Sequence, residues 1–372
     1  MTQFVEVERN LQAYLLKAND VIFNNTNSEE LVGKTALWTK DQKAVLSNHM
    51  TIVRVLKEDL LSPQFVAFYL LKKWMDGYFH QVCRRHVNQA SVSIERLKDT
   101  PFPDFEISEQ HRIAHVLITV QTAIEQQARL IALTRELKSV LMRKLFTEGL
   151  RGEKQKETEI GLVPESWDVL QLDELLTRTQ YGLSVRGEDS GSYGILRMTN
   201  QAEGKISTDK MQFVNITQKD FDNYRLQRGD ILFNRTNSLE LVGRTAIFDN
   251  DGDYVFASYL IRLNTDEKRL NPFFLNHFLN WDESQKRLKS IALRAVSQSN
   301  ISATRLRTFH VPVPPLEEQT EIIASIDIVT EKMNFHRRRK ELLEELFRAL
   351  LHQLMTGQTR VNDIDLTGLV DL

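Results

Sequence analysis

The chain repeats itself. Residues 20–36 read DVIFNNTNSEELVGKTA and residues 230–246 read DILFNRTNSLELVGRTA, twelve of seventeen positions being identical at a constant separation of 210. A duplication of this kind constrains the fold strongly, because whatever unit one copy builds the other must build as well. The match continues downstream. Val87–Lys98 (VNQASVSIERLK) stands against Val296–Arg307 (VSQSNISATRLR), and the turn Pro101-Phe102-Pro103 against Pro312-Val313-Pro314-Pro315. Glu109-Gln110-x-x-Ile113 stands against Glu318-Gln319-x-x-Ile322, and LMRKLFTEG (141–149) against LLHQLMTG (350–357).

Each copy has two parts. The first is a mixed region whose alternating runs, such as Lys34–Trp38 and Arg244–Phe248, predict strands, with helical patches at 64–75 and 273–280. The second is a long helix. Copy one carries Ile113, Leu117, Val120, Ile124, Gln127, Ile131, Thr134, Leu141 and Leu145 along one stripe. Copy two carries Ile322, Ile326, Val329, Met333, His336, Leu343, Phe347, Leu350 and Leu354. Spacings of three and four make this a coiled-coil seam, in which Gln127 and His336 set register or tolerate partial exposure. Prolines precede each helix, and Gly149 and Gly357 close it.

At about 38 residues each helix spans on the order of 55 Å. The second mixed region starts just after helix one and ends just before helix two, and the ends of a domain usually lie close together. The helices are therefore expected to pack antiparallel, holding two heads apart in a pseudo-two-fold α+β arrangement. The expected divisions are 1–106, a partial first head; 107–150, the first helix; 151–315, a complete second head; 316–357, the second helix; and 358–372, a tail.

Composition narrows the function. Lys+Arg 48 against Asp+Glu 50 leaves a net charge of -2, which argues against a polycationic coat but not against a reader with clustered charge. No apolar run is long enough to cross a bilayer and no signal peptide is visible, so a cytoplasmic protein is expected. Cys83, the one cysteine, excludes an intramolecular disulfide and a cysteine-based zinc site; the neighbouring Arg84 and Arg85 would favour a reactive thiol, but a buried or half-buried side chain is the plainer reading.

Catalytic patterns are missing. Gly33-Lys34-Thr35 has the ending of a P-loop, but Ser28 stands where the loop needs glycine, and Ser238 and Arg244 replace the first glycine and the lysine in copy two. Pro103-Asp104 with Glu136-Leu137-Lys138 has the outline of a nuclease pattern, yet the last three fall inside the helix and have no second copy. No glycine-rich cofactor loop and no HExxH spacing is present, so no cofactor, metal or catalytic residue is expected.

The layout resembles the specificity subunit of Type I restriction–modification systems over nearly the whole chain. The resemblance rests on the helix entries (Pro103, Glu109, Gln110, Ile113, Ala114; Pro312, Pro314, Glu318, Gln319, Ile322) and the exit LMRKLFTEGLR (141–151). It rests also on GLVPESW (161–167) and YGILRMTN (193–200). It implies two target recognition domains, each reading half of a split site in double-stranded DNA. It also implies helical spacers that bind two modification subunits, which carry S-adenosylmethionine and methylate adenine, and a separate restriction subunit that translocates and cleaves. One departure stands out. Tyr14 aligns with Tyr224, so about 160–210 has no counterpart in copy one. The expectation is that the first recognition domain lacks its N-terminal half and leaves strand edges open.

Reading bases takes Arg, Lys, Asn and Gln side chains on a surface anchored by phosphate contacts. The first candidate surface is Asn234, Arg235 and Asn237 with Arg244, and Asn25 in copy one; Arg235 differs most between copies. The second is the basic stretch Lys286, Arg287 and Lys289 with Arg294, and Arg84 and Arg85 in copy one. The third is Gln298 and Asn300. Arg186, Arg197, Asn200 and Gln201 occur in the complete head alone. Asn- and Ser-rich turns that bond their own backbone, and solvated basic faces such as Arg337–Lys340, are the plainer readings of such stretches. The function expected is a non-catalytic DNA-recognition subunit. The alternative is a coiled-coil adaptor or truncated allele that binds modification subunits without reading a full split site.

Overall fold

The computed structural model describes residues 14–294 and 298–363. The chain divides into two compact units, one made by residues up to 131 together with those from 335 on, the other by 132–334. Each unit holds one head and one half of each long helix. Val296 and Ser297 of the repeat lie outside the described residues, as does the side chain of Arg294.

In the second unit the central sheet has six strands, in the order Leu176–Tyr181, Leu260–Thr265, Ile231–Asn234, Thr245–Ile247, Lys205–Ile206 and Gln201–Ala202. The strand Ile231–Asn234 sits in the middle and is buried along its whole length, consistent with its run of apolar residues. Helix Pro272–Asn280 packs behind it; Asn271 caps that helix by accepting the Phe273 amide at 2.9 Å, and Pro272 fills the first turn. A second sheet joins Gln212–Val214, Tyr193–Leu196 and Tyr254–Phe256.

The first unit reproduces the centre of this arrangement. Val21–Asn24 pairs with Thr35–Leu37 on one side and Met50–Val53 on the other, as Ile231–Asn234 pairs with Thr245–Ile247 and Leu260–Thr265. Helix Pro63–Met75 lies behind, capped by Ser62. Among the described residues the sheet has three strands where the second unit has six.

The long helices are Ile107–Glu148 and Leu316–Met355. In the first unit Glu109 meets Arg360 at 2.8 Å and Gln127 meets His336 at 2.8 Å, so the two helix segments run antiparallel. In the second unit the Leu150 amide meets Glu318 at 2.7 Å and Arg151 meets Glu321 at 3.0 Å. Lys138, further back along the first helix, acts on Asp327, so there too the segments are antiparallel. The seam holds Ile113, Leu117, Val120, Leu145, Ile322, Ile326, Met333, Leu343, Leu350 and Leu354 buried as the spacing requires. It drifts elsewhere. Leu141 and Val329 are half-buried while Met142, Phe146 and Thr330 are buried, as an unsupercoiled helix turns out of a strict heptad register. Phe146 packs instead against Phe274, Phe278 and Trp281 of the second head.

The Glu-Gln pair at each helix entry explains itself in space. Gln110 accepts the Ser62 amide at 3.0 Å and donates to the Leu60 and Phe105 carbonyls at 3.2 and 2.8 Å. Gln319 accepts the Asn271 amide at 2.8 Å and donates to the Arg269 and Pro314 carbonyls at 2.9 and 2.8 Å. One buried amide thus joins long helix, proline turn and the capped helix of the head, and does so identically in both units. Among the described residues no helix is long and apolar enough to cross a membrane.

Candidate nucleic-acid interface

Two of the three candidate surfaces become one. The loop after the central strand forms a short strand, Thr236–Asn237, which pairs with Ser299–Asn300, which in turn pairs with Leu293–Arg294. The first unit builds the same platform from Thr26–Asn27, Ala90–Ser91 and Arg84–Arg85. Arg84 and Arg85 therefore correspond in space to Leu293 and Arg294. They do not match the helix Asp282–Ser290 that carries Lys286, Arg287 and Lys289.

Arg235 stands at the centre of the platform. Its amide donates to the Tyr259 carbonyl at 3.0 Å and its carbonyl accepts the Ile301 amide at 2.9 Å, which fixes its backbone. Its guanidinium lies 4.7 Å from the Tyr181 ring centroid, and its Nη1 reaches the Ser258 carbonyl at 3.5 Å. Nε is buried with no hydrogen-bond partner among the described residues. A guanidinium held over an aromatic ring, its remaining donors not spent on the protein, is preorganised to receive a base edge or a phosphate. Asn25 occupies the same place in the first unit, its amide held by the His49 carbonyl at 3.1 Å.

Beside the platform lies a cleft of about 490 Å³ lined by Val185, Arg186, Arg197, Met198, Ser258 and Tyr259 among others. Arg186 is exposed there. Arg197 donates to the Lys210 carbonyl at 3.2 Å and keeps a buried Nε without a partner among the described residues. Asn237 is half-buried; its Oδ1 accepts the Ser238 amide at 2.8 Å, a self-closing turn, and its Nδ2 points to the Met198 sulfur at 3.3 Å. Asn300 donates to Thr236 Oγ1 at 2.6 Å, and Gln298 is exposed. Arg244 is exposed, and Lys286 is exposed in an ion pair with Glu283 at 3.0 Å.

Four expected readers belong to the framework. Asn200 is 2% exposed; it accepts the Arg197 amide and donates to the Ser207 carbonyl, both at 3.0 Å. Gln201 donates to the Leu232 carbonyl at 2.7 Å. Asn234 is 3% exposed in the buried central strand. Arg287 lies 4.4 Å from the Phe309 ring and donates to the His310 carbonyl at 3.1 Å; burial pushes its guanidinium below the usual arginine range, against the pull of Glu283. Asn200, Gln201 and Arg287 spend donors inside the head, and burial alone seals Asn234, whose Oδ1 has no hydrogen-bond partner among the described residues.

The turn LVGKT binds no phosphate in this geometry. The amides of Val32, Gly33 and Lys34 are spent on the carbonyls of Ser28, Asn24 and Leu31, and the glycines adopt φ of +85° (Gly33) and +88° (Gly243), which accounts for their presence. Cys83 is half-buried, with its sulfur 3.2 Å from the His80 carbonyl. On the second long helix Arg338 and Lys340 pair with Glu341 and Glu344 at 3.5 and 2.6 Å, a solvated ionic face.

Sequence reasoning missed Tyr181, Tyr259 and Met198. Tyr181 comes from a strand some fifty residues before Arg235, and nothing local ties the two. Tyr259 could have been found through its repeat partner, His49, since exposed side chains that differ at one framework position are what two separate readers need.

The family described as Type I restriction modification DNA specificity domain matches this chain over residues 4–135 and 164–345. A putative type I restriction enzyme MjaX specificity subunit of Methanocaldococcus jannaschii is 25% identical over 95% of this chain and 81% of its own length. The EcoKI specificity subunit of Escherichia coli is 22% identical over 98% of this chain and 81% of its own length. The crystal structure of a Type I restriction–modification S subunit from M. genitalium aligns with a TM-score of 0.58 at 16% identity, covering 92% of this chain and 84% of that one.

Proposed function

Because the chain belongs to the Type I restriction modification DNA specificity family, we propose that each of its heads reads half of a split site in double-stranded DNA while partner subunits perform the chemistry. The role is sequence recognition without catalysis, the role of the family. The observation that carries the finer reading is the paired platform. Both heads build it on the same backbone pairing, yet at equivalent points one shows Arg235, Tyr259 and Asn300 and the other Asn25, His49 and Ser91. A constant frame with changed side chains suits two half-sites of different sequence. In this reading the long helices bind two modification subunits that methylate adenine, a restriction and translocation subunit joins them, and the complex works in the cytoplasm, where its DNA is.

Co-expression with a modification subunit, followed by genome-wide mapping of methylated adenine, tests this. A split motif of two different halves is the expected result; methylation without sequence preference rejects it. The three-stranded sheet of the first unit favours a second reading, in which that head holds partners without reading bases. That reading expects a motif with one half-site alone, and substitutions at Asn25, Arg84 or Arg85 without effect on it.

A further inference from the structure

Four arginines of the second head pair with carboxylates: Arg225 with Asp253, Arg228 with Asp249, Arg262 with Asp230 and Arg307 with Asp173. Arg235 is half-buried and has no carboxylate partner among the described residues. Arg287 lacks a paired carboxylate too, but it donates to a carbonyl at 3.1 Å, whereas the one hydrogen bond of the Arg235 side chain is stretched to 3.5 Å. Arg235 Nε is buried without a partner, and Nη2 reaches solvent with no partner among the described residues. A cation held half out of water with its donors unfilled costs stability, a cost that an incoming acceptor removes.

The ring beneath it is tied down. Tyr181 ends the edge strand Leu176–Tyr181, and its hydroxyl accepts the Ala303 amide at 2.9 Å. Backbone on one side and hydroxyl on the other therefore fix the plane on which the guanidinium lies, 4.7 Å away. The frame that carries Arg235 does not depend on the side chain. In the first unit the Asn25 carbonyl accepts the Val92 amide at 2.9 Å, as the Arg235 carbonyl accepts that of Ile301 at 2.9 Å.

We propose that Arg235 reads one guanine in the half-site of the second head, its Nη groups donating to O6 and N7 in the major groove, and that Tyr181 is the positioning residue that aims it. The inference rests on the reading of the heads as DNA-recognition domains. A guanidinium carries donors and no acceptor. In the major groove adenine sets a donor beside N7, cytosine offers a donor, and thymine offers one oxygen beside a methyl group. Guanine is thus the base that accepts two parallel donors. A phosphate also accepts two, but it carries no sequence information, and a mobile surface cation serves it as well. A side chain fixed in its backbone and laid over an anchored ring has a set direction, which discrimination between base edges requires.

The probes are duplexes of the mapped methylation motif in which each guanine in turn is replaced by 7-deazaguanine, which keeps its pairing and lacks N7. They are titrated into the complex of the full chain with its modification subunits. One replacement should weaken binding roughly tenfold, about 1.4 kcal/mol. In Arg235→Asn, which installs the side chain that the same frame carries in the first unit, that guanine should become indifferent to replacement while the others keep their effect. Tyr181→Leu should shrink the penalty at that guanine and at no other, and Tyr181→Phe, which keeps the ring, should retain it. A motif without guanine, or a pattern of penalties that Arg235→Asn leaves unchanged, overturns the assignment while sequence preference itself stands. Equal weakening of every duplex by Arg235→Asn makes the contact one to phosphate and overturns it too. An unchanged penalty in Tyr181→Leu removes the positioning role. Binding without sequence preference by the unaltered complex rejects the reading of the heads, and this assignment with it.

Discussion

The Trp167 indole nitrogen donates to Glu318 Oε2 at 3.0 Å, where the carboxylate is 2% exposed. The other oxygen, Oε1, accepts the Leu150 amide at 2.7 Å, just past the end of the first long helix. One carboxylate thus ties the end of one helix, the start of the other and the first strands of the second head.

Glu318→Ala leaves the buried Trp167 indole N–H without an acceptor, at a cost of about 1–3 kcal/mol, and the part-buried Leu150 amide too, at about 1 kcal/mol. The second unit should lose about 2–4 kcal/mol in urea unfolding, read by Trp167 fluorescence. Glu318→Gln, which keeps one acceptor oxygen, should lose about half as much. Equal stability of both variants and the unaltered chain would refute this account of the joint.

The first unit should be sensitive to acid through Asp20. Burial pushes its carboxyl up, but the hydrogen bonds from Arg54, at 2.6 Å, and from the Lys17 amide outweigh burial and hold it below the usual carboxylate range. A depressed folded value stabilises above the unfolded value, and that stabilisation disappears as pH falls through the folded value. Stability should therefore be level above about pH 5 and decline below about pH 4. Asp20→Asn should lower stability at neutral pH and flatten the acid limb. An unchanged acid limb in the variant would assign it to other groups.

The two repeat glycines should respond unequally. Both adopt positive φ, which costs a side chain about 1–2 kcal/mol. At Gly243 an added Cβ meets the Leu288 Cβ at 3.3 Å, whereas at Gly33 it meets the Phe79 Cβ at 2.4 Å. Gly33→Ala should thus be clearly more damaging to its unit than Gly243→Ala, in paired thermal melts. The reverse order would mean that Phe79 yields more readily than its burial suggests.

Arg235 and Arg287 should separate reading from folding. Arg235→Ala should weaken binding to the preferred site by about 1–3 kcal/mol, while binding to random duplex changes little. Arg287→Ala should lower the melting temperature, through loss of the Phe309 stack, without relaxing sequence preference. Lys286→Ala should weaken all duplexes alike and reduce the salt slope by about 0.9. Binding is measured with modification subunits present; relaxed preference in Arg287→Ala would return that residue to the readout surface.

Much of this architecture was legible in the chain. The repeat located both heads, the three-four spacing located the helices, and the Gln110 and Gln319 motifs marked the joints, because each signal is local and occurs twice. The seam shifted where Phe146 turned from the partner helix to Phe274 and Phe278, an interaction with no trace in helical spacing.

Sequence alone determined the duplication, the mixed heads, the paired helices and the absence of catalytic motifs. Tertiary structure decided which polar residues face outward. Asn234 and Asn237 lie three residues apart, yet one is sealed in the central strand and the other is half-buried with its Nδ2 on the sulfur of Met198, which lines the cleft. It also put Tyr181 beneath Arg235. Burial and contact at such places are set by segments far away along the chain, whereas the periodicities that reveal helices and strands are set by neighbours.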